Sequence, residues 1–129
     1  MSQVPSQRRV FVVDDEHVIA SSLAMILRAQ GFDATSFSLP HEALQAASSE
    51  APDLLISDVV MPVLSGIELA IQMKQLCAGC KVLLFSGQSA TVDTLEAARA
   101  DGYDFEVLSK PVHPTDLLRR IHKAMNVAT

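Results

Sequence analysis

An α/β fold with a five-stranded, doubly wound parallel sheet is predicted by three features of this sequence. Five apolar runs alternate with five helical patterns. Three of the runs, Val10–Val13, Leu54–Ile56 and Val82–Phe85, are continuously apolar, as suits parallel strands covered on both faces. The other two are broken by polar residues, as suits strands at the edges of a sheet.

Taken in order, Val10–Val13 is the first strand. Ile19, Leu23, Ile26 and Leu27 then recur at helical spacing, and Gly31 supplies a stop. Ala34–Phe37 is half polar and reads as an edge strand. Pro40 sits near the start of a second helix, where its missing N–H does no harm. Leu54–Ile56 is the third strand, and Ser65 is placed to cap a third helix whose Ile67 and Ile71 share a face. Val82–Phe85 is the fourth strand. The helix after it, roughly 90–100, offers mainly Val92, Leu95 and Ala98 inward, too little apolar area to hold it firmly, so it is the helix expected to shift most easily. Phe105–Leu108 contains Glu106 and reads as the second edge strand. Pro114 opens the last helix, with Leu117, Leu118, Ile121 and Met125 inward and Arg119, Arg120 and Lys123 outward near its C-terminal end, where positive charge is favoured. With strands one, three and four central and two and five at the edges, the order 2-1-3-4-5 follows, a flavodoxin-like (βα)5 sheet.

The length of 129 residues suits one domain, expected to span 1–129 with its core at about 9–125. Such a chain buries roughly two-thirds of its unfolded surface and needs no disulfide or metal to fold. Apolar residues make up 49% and charged residues 19%, as in an ordinary soluble protein. A net charge of −5 argues against a general nucleic-acid binder, which needs a basic surface. No segment has the form of a targeting signal or a membrane span, so a cytoplasmic protein is expected. Cys77 and Cys80 form a C-x-x-C, the spacing of a redox pair or of half a zinc site, but no second pair or nearby histidines complete a zinc site, and the motif follows a helix where a thioredoxin-type redox site would start one. They read as plain thiols in a turn. His17, His41, His113 and His122 are scattered and read as structural or surface residues, and the five methionines read as packing.

Ligands of open α/β sheets bind beyond the carboxyl ends of the strands. There the sequence places Asp14-Asp15-Glu16 after strand one, Asp58 after strand three, Ser86-Gly87 after strand four and Ser109-Lys110-Pro111 after strand five. Each has an ordinary reading: an aspartate after a strand is commonly a helix cap, Ser86 a cap, Lys110 a solvated side chain. In combination they say more. Neighbouring strands one and three crowd Asp14, Asp15 and Asp58, and two like charges about 4 Å apart repel by about 4 kcal/mol at an effective dielectric near ~20. A hard divalent cation offsets that repulsion, and Mg²⁺ favours a few carboxylates with waters and phosphate oxygens. Lys110 reaches back over the site to bind a phosphate oxygen or pair with Asp58, Ser86 offers a hydroxyl, and Gly87 leaves room for a group to enter. A carboxylate nucleophile, a metal, a lysine and a hydroxyl donor describe phosphoryl transfer to an aspartate.

Asp14-Asp15, then Asp58 with Met61-Pro62 and Gly66, then Ser86-Gly87, then Lys110-Pro111, resembles the response-regulator receiver family, over about 9–125. The resemblance implies a two-component signalling module and not an enzyme in its own right. Asp58 would accept a phosphoryl group from a phosphohistidine on a sensor histidine kinase or phosphotransfer protein. Asp15, Asp58 and the Val60 carbonyl would hold Mg²⁺ directly, with Asp14 acting largely through water. Ser86 and Lys110 would bind the phosphoryl group, and a downstream protein would read the altered conformation. No contact with nucleic acid or membrane is implied. One position departs from the family pattern: three residues before Lys110, where an aromatic often stands, the chain has Val107, with Tyr103 and Phe105 out of register. Within the family, a stand-alone module is expected because the chain ends soon after the last helix; the alternative is a receiver cut from a larger transcription factor or hybrid kinase. From another class, an aspartate-nucleophile phosphatase of the haloacid-dehalogenase type uses similar groups, but places D-x-D on its first strand and carries a cap insertion.

Overall fold

The computed structural model describes residues 8–87, 92–103, 105–110 and 113–125. Five strands and five helices alternate: β1 (Arg9–Val13), α1 (His17–Ala29), β2 (Asp33–Phe37), α2 (Pro40–Ser49), β3 (Leu54–Asp58), α3 (Gly66–Leu76), β4 (Lys81–Ser86), α4 (Val92–Ala100), β5 (Glu106–Ser109) and α5 (Pro114–Ala124). The sheet is parallel throughout, in the order β2-β1-β3-β4-β5. This is the predicted flavodoxin-like order, with the two polar-interrupted strands at the edges.

The period-two alternation of side chains across a strand explains why the central runs are apolar throughout. Val10 and Val12 enter one core with Leu54, Ile56, Leu83 and Phe85, under α1 and α5. Phe11 and Val13 enter the other with Leu55 and Leu84, under α2, α3 and α4. Each such side chain, fully buried, contributes roughly 1.5–3 kcal/mol relative to exposure, so the three central strands carry much of the fold's hydrophobic stabilisation.

Helix termini follow the local chemistry. Gly31 takes a φ of +96° and donates its N–H to Arg28 O at 3.0 Å, closing α1. Pro40 and Pro114 stand in the first turns of α2 and α5. Ser65 caps α3 by accepting the Glu68 N–H at 3.2 Å. His113 caps α5 through Nδ1, which accepts from Thr115 N at 3.2 Å, a structural role for one of the scattered histidines.

Several boundaries and faces differ from expectation. β5 starts at Glu106 and not at Phe105, which lies buried just before it. β3 and β4 run on to include Asp58 and Ser86 as their last residues. In α1, the inward face is Ala20, Leu23, Ala24 and Leu27, whereas Ile19 is 41% exposed. Ile19 and Val18 instead line a groove of about 690 Å³ between the start of α1 and α5, also walled by Leu23, Phe85 and Leu117. Leu118 is only half-buried. In α4 Ala98 is buried and Leu95 half-buried; the Val92 side chain lies outside the described residues. The outward cations of α5 are largely partnered within the chain: Arg119 pairs with Asp116 at 3.2 Å, and Arg120 with Glu106.

Candidate functional site

The sheet ladder runs past the formal strand ends and fixes the backbone of the residues singled out above. Asp14 donates its N–H to Phe37 O at 3.1 Å, Val59 to Phe85 O at 2.9 Å, and Lys110 to Ser86 O at 2.9 Å. Asp58 stands opposite Phe85 in the β3–β4 register, so Ser86 is the next residue along; Ser86 in turn stands opposite Ser109, and Lys110 follows. Four separate stretches of sequence therefore deliver their polar residues to one end of the sheet by register alone.

Side-chain geometry completes the cluster. Carboxylate oxygens of Asp14, Asp15 and Asp58 all lie within 4.8 Å of one another. The Lys110 Nζ donates to Asp58 Oδ2 at 3.0 Å. Asp14 is buried, at 3% exposure, while Asp15 is exposed. Burial raises the Asp14 pKa above its ordinary 3.8, helped by the negative charges of Asp58 and Asp15; the Glu16 N–H, which Asp14 Oδ1 accepts at 2.9 Å, and the Lys110 ammonium oppose that rise. The donor set is all hard oxygen, and its charge exceeds what one lysine balances, which fits a divalent cation such as Mg²⁺. Ser86 is buried at 7% exposure, and the Val60 side chain points outward at 54%. Pro111 lies outside the described residues.

The β3–α3 connection turns on Gly66, which belongs to the sequence motif, and on Ser57 and Val63, which do not. A Cβ added to Gly66 would stand 2.1 Å from the Asp58 backbone oxygen, so the first turn of α3 can approach the end of β3 only with glycine there. Gly66 also donates its N–H to Val59 O at 2.9 Å. Ser57, fully buried between the apolar run Leu54–Ile56 and Asp58, donates its hydroxyl to the same Asp58 oxygen at 2.9 Å; a hydroxyl directly before Asp58 was the available signal. Val63 has a φ of 74°, and Leu64 N donates to Pro62 O across it at 2.8 Å, a γ-turn that a β-branched residue adopts only under strain. At Gly87 a Cβ would meet Lys110 carbons at 3.8 Å, an ordinary contact within the chain. Val107 is half-buried at the margin of the α3–α4 core, and Tyr103 and Phe105 stack on each other with centroids 5.9 Å apart.

A sequence model described as the response regulator receiver domain matches residues 10–122. The chain belongs to the response-regulator receiver family. Among its relatives, the probable transcriptional regulatory protein TcrX of Mycobacterium tuberculosis is 31% identical over 112 residues, covering 87% of this chain and 47% of that protein. The alkaline phosphatase synthesis transcriptional regulatory protein PhoP of Bacillus subtilis is 31% identical over 114 residues, covering 88% and 47%. The receiver thus spans about half the length of the curated relatives it matches. Among solved structures, a receiver domain protein from Methanospirillum hungatei superposes with a TM-score of 0.84 at 26% identity over 94% of this chain and 95% of that one. One from Clostridium thermocellum gives 0.81 at 29% identity over 92% and 94%. The family sets aside the dehalogenase-type phosphatase reading. Two-component signal transduction is the function that this receiver shares with its homologues. Among its described residues, no helix is long and apolar enough to cross a membrane.

Proposed function

We propose that this receiver takes a phosphoryl group on Asp58 from a phosphohistidine carried by a sensor histidine kinase or phosphotransfer protein, and that the phosphorylated form is recognised by a downstream protein. The observation that carries the proposal is the Lys110–Asp58 contact at 3.0 Å inside the three-carboxylate cluster. It supports the proposal because the Asp58 carboxylate lies beside a cation able to hold a phosphoryl oxygen, on a backbone fixed by the ladder.

Each side chain then has a task. Asp58, its side chain 12% exposed, would accept the incoming phosphorus on the oxygen it presents beside Lys110. Lys110 leaves its ion pair with Asp58 for a phosphoryl oxygen as the carboxylate is consumed. Ser86 donates its hydroxyl to another of those oxygens. Asp14, Asp15, Asp58 and the Val60 carbonyl would hold Mg²⁺, which supplies neutralisation of charge on the transferring group. The domain assists its own phosphorylation and dephosphorylation without turning over an external substrate, and a cytoplasmic location accords with such donors.

A second reading has its own observation. Because the chain spans 47% of relatives described as transcriptional regulators, the same receiver fits as the regulatory part of a longer protein. An open reading frame continuing past Thr129 in the native gene decides between the two.

Acetyl phosphate with Mg²⁺ tests the site. One phosphoryl group, labile to hydroxylamine as an acyl phosphate is, should appear on the wild type and be lost in Asp58→Asn. Asp53→Asn should label normally, since Asp53 serves β1 by accepting the Arg9 N–H at 2.8 Å. Equal labelling of wild type and Asp58→Asn would remove the proposal.

A further inference from the structure

Cys77 and Cys80 play no part in the site above, and both are free thiols. We propose that they form a reversible dithiol–disulfide couple in the turn between α3 and β4, a modification site open to small-molecule disulfides. Three observations support it, none dependent on the phosphoacceptor reading.

The turn is already closed. Cys77 caps α3, its N–H donating to Met73 O at 2.8 Å, and Cys80 N donates to Cys77 O at 3.0 Å. A four-residue turn holds its first and fourth Cα within about 7 Å, and a disulfide spans Cα atoms roughly 4.4–6.8 Å apart. Both side chains also pack against the same hydrophobic cluster, Cys80 inside it and Cys77 at its margin. Finally, Lys74 clamps the turn, its Nζ donating to Ala78 O at 3.2 Å and Cys80 O at 2.8 Å, so a cation stands beside the pair.

The two thiols differ in access, which orders the steps. Burial, then the neighbouring Cys77, pushes the Cys80 thiol up to about 12, so it does not react with reagents in solution. Half-buried Cys77 is the point of entry. Its thiolate attacks one sulfur of oxidised glutathione, the reagent's S–S bond breaks, and the departing glutathione thiolate takes up the proton that Cys77 lost. Cys80 then gives up its proton and attacks the Cys77 sulfur, expelling the second glutathione. Proximity offsets the low thiolate fraction of Cys80 in this step. In balance, two cysteine thiols are oxidised to one disulfide and one glutathione disulfide is reduced to two thiols.

The experiment treats the folded chain with oxidised glutathione and follows intact mass and free thiols. The wild type should lose two hydrogens and both free thiols, run as a monomer without reductant, and recover fully with dithiothreitol. Cys80→Ala should stop at one glutathionyl adduct on Cys77, and Cys77→Ser should stay unmodified over the same time. A wild type that accumulates a stable adduct, crosslinks between chains or keeps both thiols free overturns the proposal. So does Cys77→Ser reacting as fast as wild type.

Discussion

Replacing Asp14 by Asn should make the metal-free domain more stable while spoiling its metal site. Asp14 is buried with two carboxylates within 4.8 Å. At that distance and an effective dielectric near ~20, Asp58 repels it by about 3.5 kcal/mol. Exposed Asp15 is screened almost as in water and adds about 0.9 kcal/mol. Lys110, at 3.0 Å from Asp58, cancels most of the Asp58 charge as felt by Asp14. What survives is on the order of 1 kcal/mol, and the desolvation of Asp14 acts in the same direction. Asn keeps an oxygen for the Glu16 N–H, so the turn after β1 survives. The pH dependence follows from the raised pKa of Asp14. The folded state binds this proton more tightly than the unfolded chain, so the penalty is complete above the folded pKa and disappears as pH falls below the unfolded value of 3.8. The gain in Asp14→Asn should therefore be full at neutral pH and fade in acid. Mg²⁺ at about 100 times its Kd should stabilise wild type by about 2.7 kcal/mol and the variant much less. Urea melts in chelator and in Mg²⁺, at neutral and acid pH, measure all of this. A wild type more stable than Asp14→Asn in chelator at neutral pH, or an equal gain from Mg²⁺ in both, would refute the electrostatic account.

Three further outcomes are expected. Val63→Gly should raise stability by about 1 kcal/mol in urea melts, because its φ of 74° strains a β-branched residue whose side chain, 88% exposed, gives up no packing; no gain would mean the loop relaxes around valine. Gly66→Ala should cost about 1–3 kcal/mol by driving a Cβ onto the Asp58 carbonyl, and should slow acetyl phosphate labelling in protein that still folds; normal stability and labelling together would show that α3 can retreat. Val60→Asn should speed loss of the phosphoryl group, since an exposed apolar side chain two residues beyond Asp58 cannot orient an attacking water and an amide can; unchanged decay, followed by acid-quenched label, would show that this side chain does not control access.

The sequence by itself determined the architecture and which polar residues gather at one end of the sheet. Both are carried by local pattern: Val10–Val13, Leu54–Ile56 and Val82–Phe85 are apolar on both faces because both faces are covered, and that decides which strands are central. Once the order is set, the residues at the strand ends must converge, so Asp14, Asp15, Asp58, Ser86 and Lys110 were legible as one group. What only the tertiary structure decided is how each residue is presented. Asp14 is buried and its neighbour Asp15 exposed because the ladder to Phe37 turns one inward and leaves the other in solvent. Ile19 fits the helical stripe of α1 yet faces a groove, because periodicity names a face and not what stands opposite it. The strained turn at Val63 and the contact of Gly66 with the Asp58 carbonyl arise where α3 is pressed against β3, between residues whose own preferences point elsewhere. Pattern records how much of a residue is buried on average; distance, and so the strength of repulsion, ion pairing and steric contact, exists only once the chain has folded.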